Sequence, residues 1–385
     1  MNIKLKTFRN RLFSKLDGMI VTNPVNVKYL TGLKEEGILV VGEKENIFIT
    51  DSRYIESVNK NLTIDDQIVA YDVKDLSKYD YEGIFMISQN VGFEEKYVTY
   101  ADYKKYLQLY KVDLQETEDL IENQRVTKEP DEIECITKAC EITDKAFEYI
   151  CENIKEGMTE KQIAFLIEKF MVDNGADGIA FDLIVASGPN SSMPHAIPTD
   201  RKLESGDIIQ FDIGCRVEGY CSDMSRVTFV DFVKDEYKEI YDFVSNVQKQ
   251  IAIRFKEGAN IKPVIKDIET EYKLKGYNIM HSFGHGVGLD IHEIPYLRSA
   301  VDCNLKENAV ITIEPGVYFK NEFGIRIEDT YLVKKGEVMP LTNSRKDYVI
   351  IKLKKEVENN NNNNNVNHNH NQNNNYKHNF NKHRR

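Results

Sequence analysis

Acidic side chains set into apolar runs mark where this chain of 385 residues can do chemistry. Asp212 stands in Ile208-Ile-Gln-Phe-Asp212-Ile-Gly214, a stretch that otherwise reads as a strand. A carboxylate there is disfavoured by β propensity and costly if buried without a partner. Asp223 follows in Gly219-Tyr-Cys-Ser-Asp223-Met. A bulge-free hairpin of 208–213 with 219–228, centred between Val217 and Glu218, sets Asp212 directly opposite Asp223, with Cβ atoms about 4.5–5.5 Å apart. The construction recurs. Glu314 lies in Val310-Ile-Thr-Ile-Glu314-Pro-Gly316 and Glu328 in Gly324-Ile-Arg-Ile-Glu328-Asp-Thr330. A hairpin centred on Asn321 makes these two neighbours. One such pair is explained equally by a shared proton or a surface accident; two pairs, each in an apolar strand, point to bound cations.

Histidines complete the set. Ahead of an Asn-rich tail the chain holds four: His195, His281, His285 and His292. Three fall in His281-Ser-Phe-Gly-His285-Gly-Val-Gly-Leu-Asp-Ile-His292-Glu, where Gly284, Gly286 and Gly288 clear side chains from around His285 and let backbone approach closely. One imidazole with four carboxylates is an oxygen-rich donor set. It suits Mn²⁺, Fe²⁺ or Co²⁺ better than the Cys/His sets of structural zinc. Four negative charges balance two divalent ions, whereas one ion leaves excess charge.

These residues need a scaffold, and its length exceeds the roughly 250–300 residues at which single cores stop growing. The first 125 residues alternate short apolar runs with helix-like stretches: an amphipathic opening helix, strands at Gly18–Val21, Gly37–Val41 and Asn46–Ile49, and a helix starting at Asp51 or Ser52 as cap. Residues 121–130 are polar and read as a linker. The second part, 126–357, opens with a helix whose apolar face is Ile133, Ile136, Cys140, Phe147, Ile150 and Ile154. Thr159-Glu-Lys-Gln162 is a capping box for the next helix. Strands follow at 181–186, 208–213 and 227–230, then helices near 235–255 and 262–275, then strands around 310–318 and 324–334. The expected fold is an α/β N-terminal domain plus an α+β C-terminal domain with a suggestion of internal duplication.

With its Asp, Asp, His, Glu, Glu order, its FDIG, HSFGHGVG, IEPGVY and GIRIED segments, the chain resembles the pita-bread metallopeptidases of family M24, which include methionine aminopeptidase, aminopeptidase P and prolidase. The resemblance covers roughly residues 130–350. NPVNVKYLTGL and ITDSRY in the first part resemble the creatinase-type N-terminal domain carried by aminopeptidase P, prolidase and creatinase. The resemblance implies a pita-bread catalytic domain with Asp212, Asp223, His285, Glu314 and Glu328 as ligands of two divalent ions, Mn²⁺ first, with Co²⁺, Fe²⁺ or Zn²⁺ as alternatives. By the same resemblance Asp223 and Glu328 would bridge them, and ions sharing one water lower its pKa. It implies that Glu314 handles a proton, that His195 lies near the leaving group, that His292 stabilises the tetrahedral intermediate and that His281 lines the substrate site. Arg326, two strand positions before Glu328 and so on the same face, serves the substrate or orients a carboxylate. Packing or a plain salt bridge is the rival role for His195, His281, His292 and Arg326. Tyr318 is assigned to the core.

The implied reaction is release of the N-terminal residue from peptides with proline second, because a bond without an N–H needs a dedicated site. The longer prolidases carry more chain than the 357 residues ahead of the tail, which favours aminopeptidase P; an Xaa-Pro dipeptidase (prolidase) is the alternative. The first domain argues against methionine aminopeptidase, the intact ligand set against creatinase and against an inactive binding module. Net charge is −11; setting aside the tail's four cations and Glu358 leaves the body at −14, a poor partner for nucleic acid or anionic membrane. Six cysteines without a CxxC pair, no export signal and no apolar run of membrane-spanning length imply reduced thiols and a cytoplasmic protein. The family suggests a homodimer or larger homo-oligomer. From residue 358 the Asn/His-rich tail, with 15 asparagines and four histidines from Asn359 on, reads as disordered rather than a metal scavenger.

Overall fold

The computed structural model describes residues 2–85 and 90–353, so the tail expected to be disordered lies outside the described residues. The first part runs α1 (Ile3–Leu12), β1 (Gly18–Val21), α2 (Pro24–Thr31), β2 (Ile38–Gly42), β3 (Asn46–Thr50), α3 (Ile55–Asn61), β4 (Ile68–Asp72), α4 (Lys78–Ile84), β5 (Asn90–Glu94), α5 (Tyr100–Tyr110), β6 (Asp113–Thr117) and α6 (Glu122–Arg125). Its strands form one sheet in the order β4-β3-β2-β1-β5-β6. Strand alternation sorts the side chains onto two faces. Ile20, Val40, Ile47 and Ile49 pack with Tyr81, Tyr106 and Tyr110 of α4 and α5. Met19, Val21, Leu39, Val41 and Phe48 pack with Leu5, Phe8 and Leu12 of α1. This second face continues without a break into Ile136, Cys140, Val287, Leu289 and Val310 of the following part.

One expectation shifts here for a physical reason. The helix predicted to start at Asp51 or Ser52 starts at Ile55 with Tyr54 as cap, because the Asp51 carbonyl first closes a turn onto Tyr54 and its carboxylate is taken by Arg53. The polar segment 121–130, read as the linker, alternates exposed and buried residues. Gln124, Arg125 and Lys128 are buried, because each finds a polar partner on the parts it joins.

The second part runs α7 (Pro130–Asn153), α8 (Glu160–Asp173), β7 (Gly178–Ile179), β8 (Ile184–Ser187), β9 (Ile208–Ile213), β10 (Cys215–Val217), β11 (Tyr220–Cys221), β12 (Met224–Val230), α9 (Asp235–Arg254) and α10 (Ile261–Lys275). It closes with β13 (Val310–Ile313), β14 (Gly316–Phe319), β15 (Phe323–Arg326), β16 (Asp329–Val333), β17 (Val338–Pro340) and β18 (Val349–Ile351). The Thr159/Gln162 capping box starts α8 as read from sequence. The strand expected from Phe181 starts only at Ile184, which pairs with Asp212 one residue before β9 ends. Two apolar cores result. Helices α7 and α8 cover Ile209, Phe211 and Ile213; α9 and α10 cover Val227, Phe229, Ile311, Ile313, Ile325 and Ile327. The alternate residues Gln210, Asp212, Ser225, Arg326 and Glu328 are left facing one another between the cores.

The first hairpin is offset from its expected register. Glu218 and Gly219 both have positive φ (51° and 84°), forming a two-residue turn centred between them. The register therefore moves by two: Asp212 faces Ser225, and Asp223 lies diagonally beyond the Ile213–Met224 pair. A shift of two keeps every side chain on its face, where a shift of one would invert them. The second hairpin keeps its expected centre at Asn321, with Gly316 facing Arg326 and Ile313 facing Asp329. Glu314 and Glu328 fall in the gap between these two ladders.

Behind Glu328 sits a buried ion pair. Arg226 donates to Asp329 Oδ1 at 2.5 Å, to the carbonyl of Glu328 at 2.5 Å and to that of Ser344 at 2.9 Å. Arg226→Ala leaves a fully buried Asp329 short of a partner and should lower stability by about 3–5 kcal/mol. Urea unfolding measures this, and an unchanged midpoint would show the pair to be dispensable.

Candidate metal centre

The polar residues between the cores open onto a cleft of about 910 Å³ lined by Asp212, Asp223, Glu314, Glu328 and the four histidines 195, 281, 285 and 292. Asp223, His285 and Glu328 are buried and present ligand atoms within 4.8 Å of one another. Glu314 joins them through Oε1, 3.6 Å from His285 Nε2, which is also 3.5 Å from Asp223 Oδ2. Asp212 reaches the group from β9, its Oδ2 held at 2.6 Å by Arg326.

His285 is placed by backbone. Residues 283–287 run beside β13: the Thr312 N–H donates to the His285 carbonyl, Glu314 N–H to Phe283 and Val287 N–H to Val310. A Cβ at Gly284 would lie 2.1 Å from the Thr312 carbonyl, and one at Gly286 2.4 Å from that of Ile294, so glycine is required for this approach. The His285 Nδ1 sits 3.0 Å from the Gly286 carbonyl, which can only accept. That fixes the proton on Nδ1 and leaves the Nε2 lone pair facing two carboxylates. Burial lowers the imidazole to about 3, so it stays neutral.

Such a gathering of acceptors is unfavourable without positive charge. Burial, then Glu328, Asp212 and Glu314, push Asp223 well above the carboxylate range, and burial and Glu328 do the same to Glu314. Burial and Asp212 push Glu328 up to about 8. Glu328 Oε1 and Asp212 Oδ1 are buried and have no hydrogen-bond partner among the described residues. Unpartnered oxygens, a lone pair held toward them and mutually repelling carboxylates are the chemistry of a divalent-cation site. The donor set fits such ions.

Arg326 is 3% exposed, and each of its side-chain nitrogens is engaged by protein. Nε donates to Ser225 Oγ at 2.8 Å, Nη1 to Tyr318 Oη at 2.6 Å and to the Pro194 carbonyl at 3.3 Å, Nη2 to Asp212. Its guanidinium thus holds a carboxylate, one of the two roles read for it, and presents no free fork for the other, substrate binding. Tyr318, assigned to the core, is buried but polar in function: its oxygen accepts from Arg326, and its hydroxyl proton is directed at His281 Nε2, 2.9 Å away. His281 in turn donates Nδ1–H to the Ser282 carbonyl at 2.7 Å, and burial lowers it to about 4. Ser225 bonds both Arg326 and Glu328. The signal for Ser225 and Gln210 was available: both are polar side chains at the same alternating positions as Asp212.

The other two histidines sit on the cleft wall. His292 is exposed and packs its ring on His285, centroids 4.5 Å apart; burial lowers it below its usual value. His195, also exposed, lies in a loop anchored by Glu160, which is wholly buried at the start of α8. One Glu160 oxygen accepts from Ser187 N and Oγ, the other from Thr199 N and Oγ1, and Asn190 reaches both.

Comparison with known proteins agrees with this architecture. The sequence matches "Metallopeptidase family M24" over residues 134–335 and "Creatinase/Prolidase N-terminal domain" over residues 6–127. It is 33% identical to an Xaa-Pro dipeptidase of Pyrococcus furiosus, covering 87% of this chain and 95% of that one. The structure is similar to that of an Xaa-Pro dipeptidase from Bacillus anthracis, with TM-score 0.83, 31% identity and coverage of 90% and 99% of the two chains. It is also similar to an X-Pro aminopeptidase from Thermotoga maritima, with TM-score 0.80, 30% identity and coverage of 90% and 100%. Both kinds of relative match nearly end to end, so chain length, which favoured aminopeptidase P above, does not separate them. No helix among the described residues is long and apolar enough to cross a membrane.

Calorimetric titration of Mn²⁺ into chelator-treated protein should show binding that weakens at least about tenfold in Asp223→Asn and in Glu328→Gln. Affinity unchanged in both variants would remove the metal reading.

Proposed function

We propose that this chain, which belongs to metallopeptidase family M24 and is a peptide hydrolase, cleaves Xaa-Pro dipeptides. The observation that carries the reading is the near full-length likeness, N-terminal part included, to proteins named Xaa-Pro dipeptidases. The likeness to an X-Pro aminopeptidase favours a second reading, removal of one residue from longer peptides with proline second. We divide the chain at residues 125/126 into a creatinase-type domain and a catalytic domain, with a separate tail from 358.

Asp212, Asp223, His285, Glu314 and Glu328 would hold two divalent ions, with Mn²⁺ the first choice for four oxygen donors and one nitrogen. Members of the family are dinuclear divalent-metal enzymes, and such ions supply Lewis acidity and a more acidic water. The protein's own residues do the rest. Arg326 holds Asp212 at a fixed angle, and Ser225 does so for Glu328. Glu314, with Oε2 3.7 Å from His281 Nδ1 and 14% exposed, is the carboxyl group placed to take and return a proton at the cleft floor. His292 and His195 can donate N–H to the substrate's carbonyl oxygen and to its leaving group. Phe165, Phe181, Ile184 and Ile197 give the cleft an apolar wall suited to a proline ring.

Purified protein supplied with Mn²⁺ should release the first residue from Xaa-Pro. Parallel reactions with Xaa-Pro-Yaa and Met-Ala-Yaa decide among the readings: cleavage of Xaa-Pro-Yaa would favour the aminopeptidase, and cleavage of Met-Ala-Yaa alone would end the proline assignment. Glu314→Gln should lower turnover by a factor of about 10² or more.

A further inference from the structure

His292 has little support of its own: it is exposed, and its ring contact is with His285. Its place is set by the short loop that carries it. Gly286 and Glu293 close that loop with reciprocal backbone hydrogen bonds of 2.9 and 2.8 Å. The Glu293 carboxylate then turns back inside, its Oε1 accepting from Asp290 N–H at 3.2 Å. It occupies the space at Gly288, where a Cβ would lie 2.4 Å from Oε1. A lone carboxylate is not stable in such a place. Burial alone would raise it, but Lys128 and Arg125 overcome burial and hold it below its ordinary value.

Both cations come from the segment joining the two parts of the chain. Arg125 Nη2 donates to Glu293 Oε1 at 2.6 Å and to Asp290 Oδ2 at 2.8 Å, and Lys128 Nζ to Glu293 Oε2 at 3.0 Å. Arg125 and Lys128 side chains are 4% and 2% exposed. Arg125 is itself anchored in the first part: Nη1 donates to the Asn26 Oδ1 at 2.8 Å, and Asn26 Nδ2 donates to Glu94 at 2.7 Å and Glu122 at 2.6 Å. Glu94 is fixed by the backbone N–H groups of Thr22 and Asn23. A continuous buried polar chain thus runs from the end of β1 and the start of α2 through Arg125 to the residue next to His292.

We propose that Arg125 and Lys128 are positioning residues for His292: by clamping Glu293 they hold the loop 286–293 in the shape that aims the imidazole into the cleft. The proposal rests on the reading of His292 as a site residue. It gives the joining segment a task in turnover and the N-terminal part a hold on the catalytic loop. Neither Arg125 nor Lys128 touches the cleft, so their removal acts through His292.

The test is imidazole ¹⁵N NMR of ¹⁵N-histidine-labelled full-length protein loaded with diamagnetic Zn²⁺, His292 being assigned with His292→Ala. Arg125→Met and, separately, the milder Lys128→Met should displace the His292 resonances while those of His195 and His281 stay in place. A His292 signal unmoved in both variants, or a general displacement of all the site histidines, would overturn the proposal. Should Arg125→Met fail to fold, Lys128→Met decides. This readout stands whether or not any Xaa-Pro peptide is cleaved, so its failure is distinct from failure of the dipeptidase reading. With a cleaved peptide in hand, Arg125→Met should lower kcat about tenfold or more in the wild-type background with KM little changed. In the His292→Ala background it should lower kcat by less than about twofold, because the two act as one unit. An equal loss in both backgrounds would likewise overturn it.

Discussion

Negative charge crowded between two dry cores is the constraint on which this structure turns. Asp212, Asp223, Glu314 and Glu328 face one another at the floor of a cleft, between the α7/α8 core on one side and the α9/α10 core on the other. Burial limits how far water disperses the repulsion there, and a low-dielectric surround magnifies it. Arg326 offsets part through its ion pair with Asp212. The remainder is the driving force for cation uptake. The same repulsion that would destabilise an empty site becomes binding energy when divalent ions enter.

Around that centre, precision is delegated to groups outside the candidate ligand set. Glycines bring the His285 strand against β13; Ser225 and Arg326 set carboxylate angles; Glu160 gathers both ends of the loop bearing His195. Ser225, Arg326 and Glu160 are buried polar groups with their hydrogen-bonding capacity largely used, which is the condition under which such groups rigidify rather than weaken a core. The exposed histidines can then be few and lightly packed, because their loops are held from beneath.

Much of this was legible in the residue order. Alternation in β9 and β15 exposed Asp212 and Arg326 as polar residues on a common face, and the second hairpin's centre at Asn321 followed from the position of Glu314 and Glu328. The first hairpin's centre did not, because a turn with both central residues at positive φ is marked by Glu218-Gly219, and Glu218 is not a residue that advertises such a conformation. The partners of Tyr318 and of the joining segment went unread for a shared reason. Polarity in sequence says nothing of whether a partner waits in space; the oxygen that meets Arg326 and the carboxylate that meets Arg125 and Lys128 come from distant residues. The choice between dipeptides and longer peptides was not legible, since the five ligand residues read the same for both.

The apolar cluster that begins under the N-terminal sheet and ends at Val310 and Leu332 belongs to neither part alone. Severing the chain near residue 126 would bare Val287 and Leu289, which lie within the His285–His292 segment itself, to solvent. The N-terminal part is in this sense less an appendage than half of a common interior. Heating should therefore melt both together as one cooperative transition, and a catalytic fragment made without its first 125 residues would begin life with a hydrophobic wound beside its active centre.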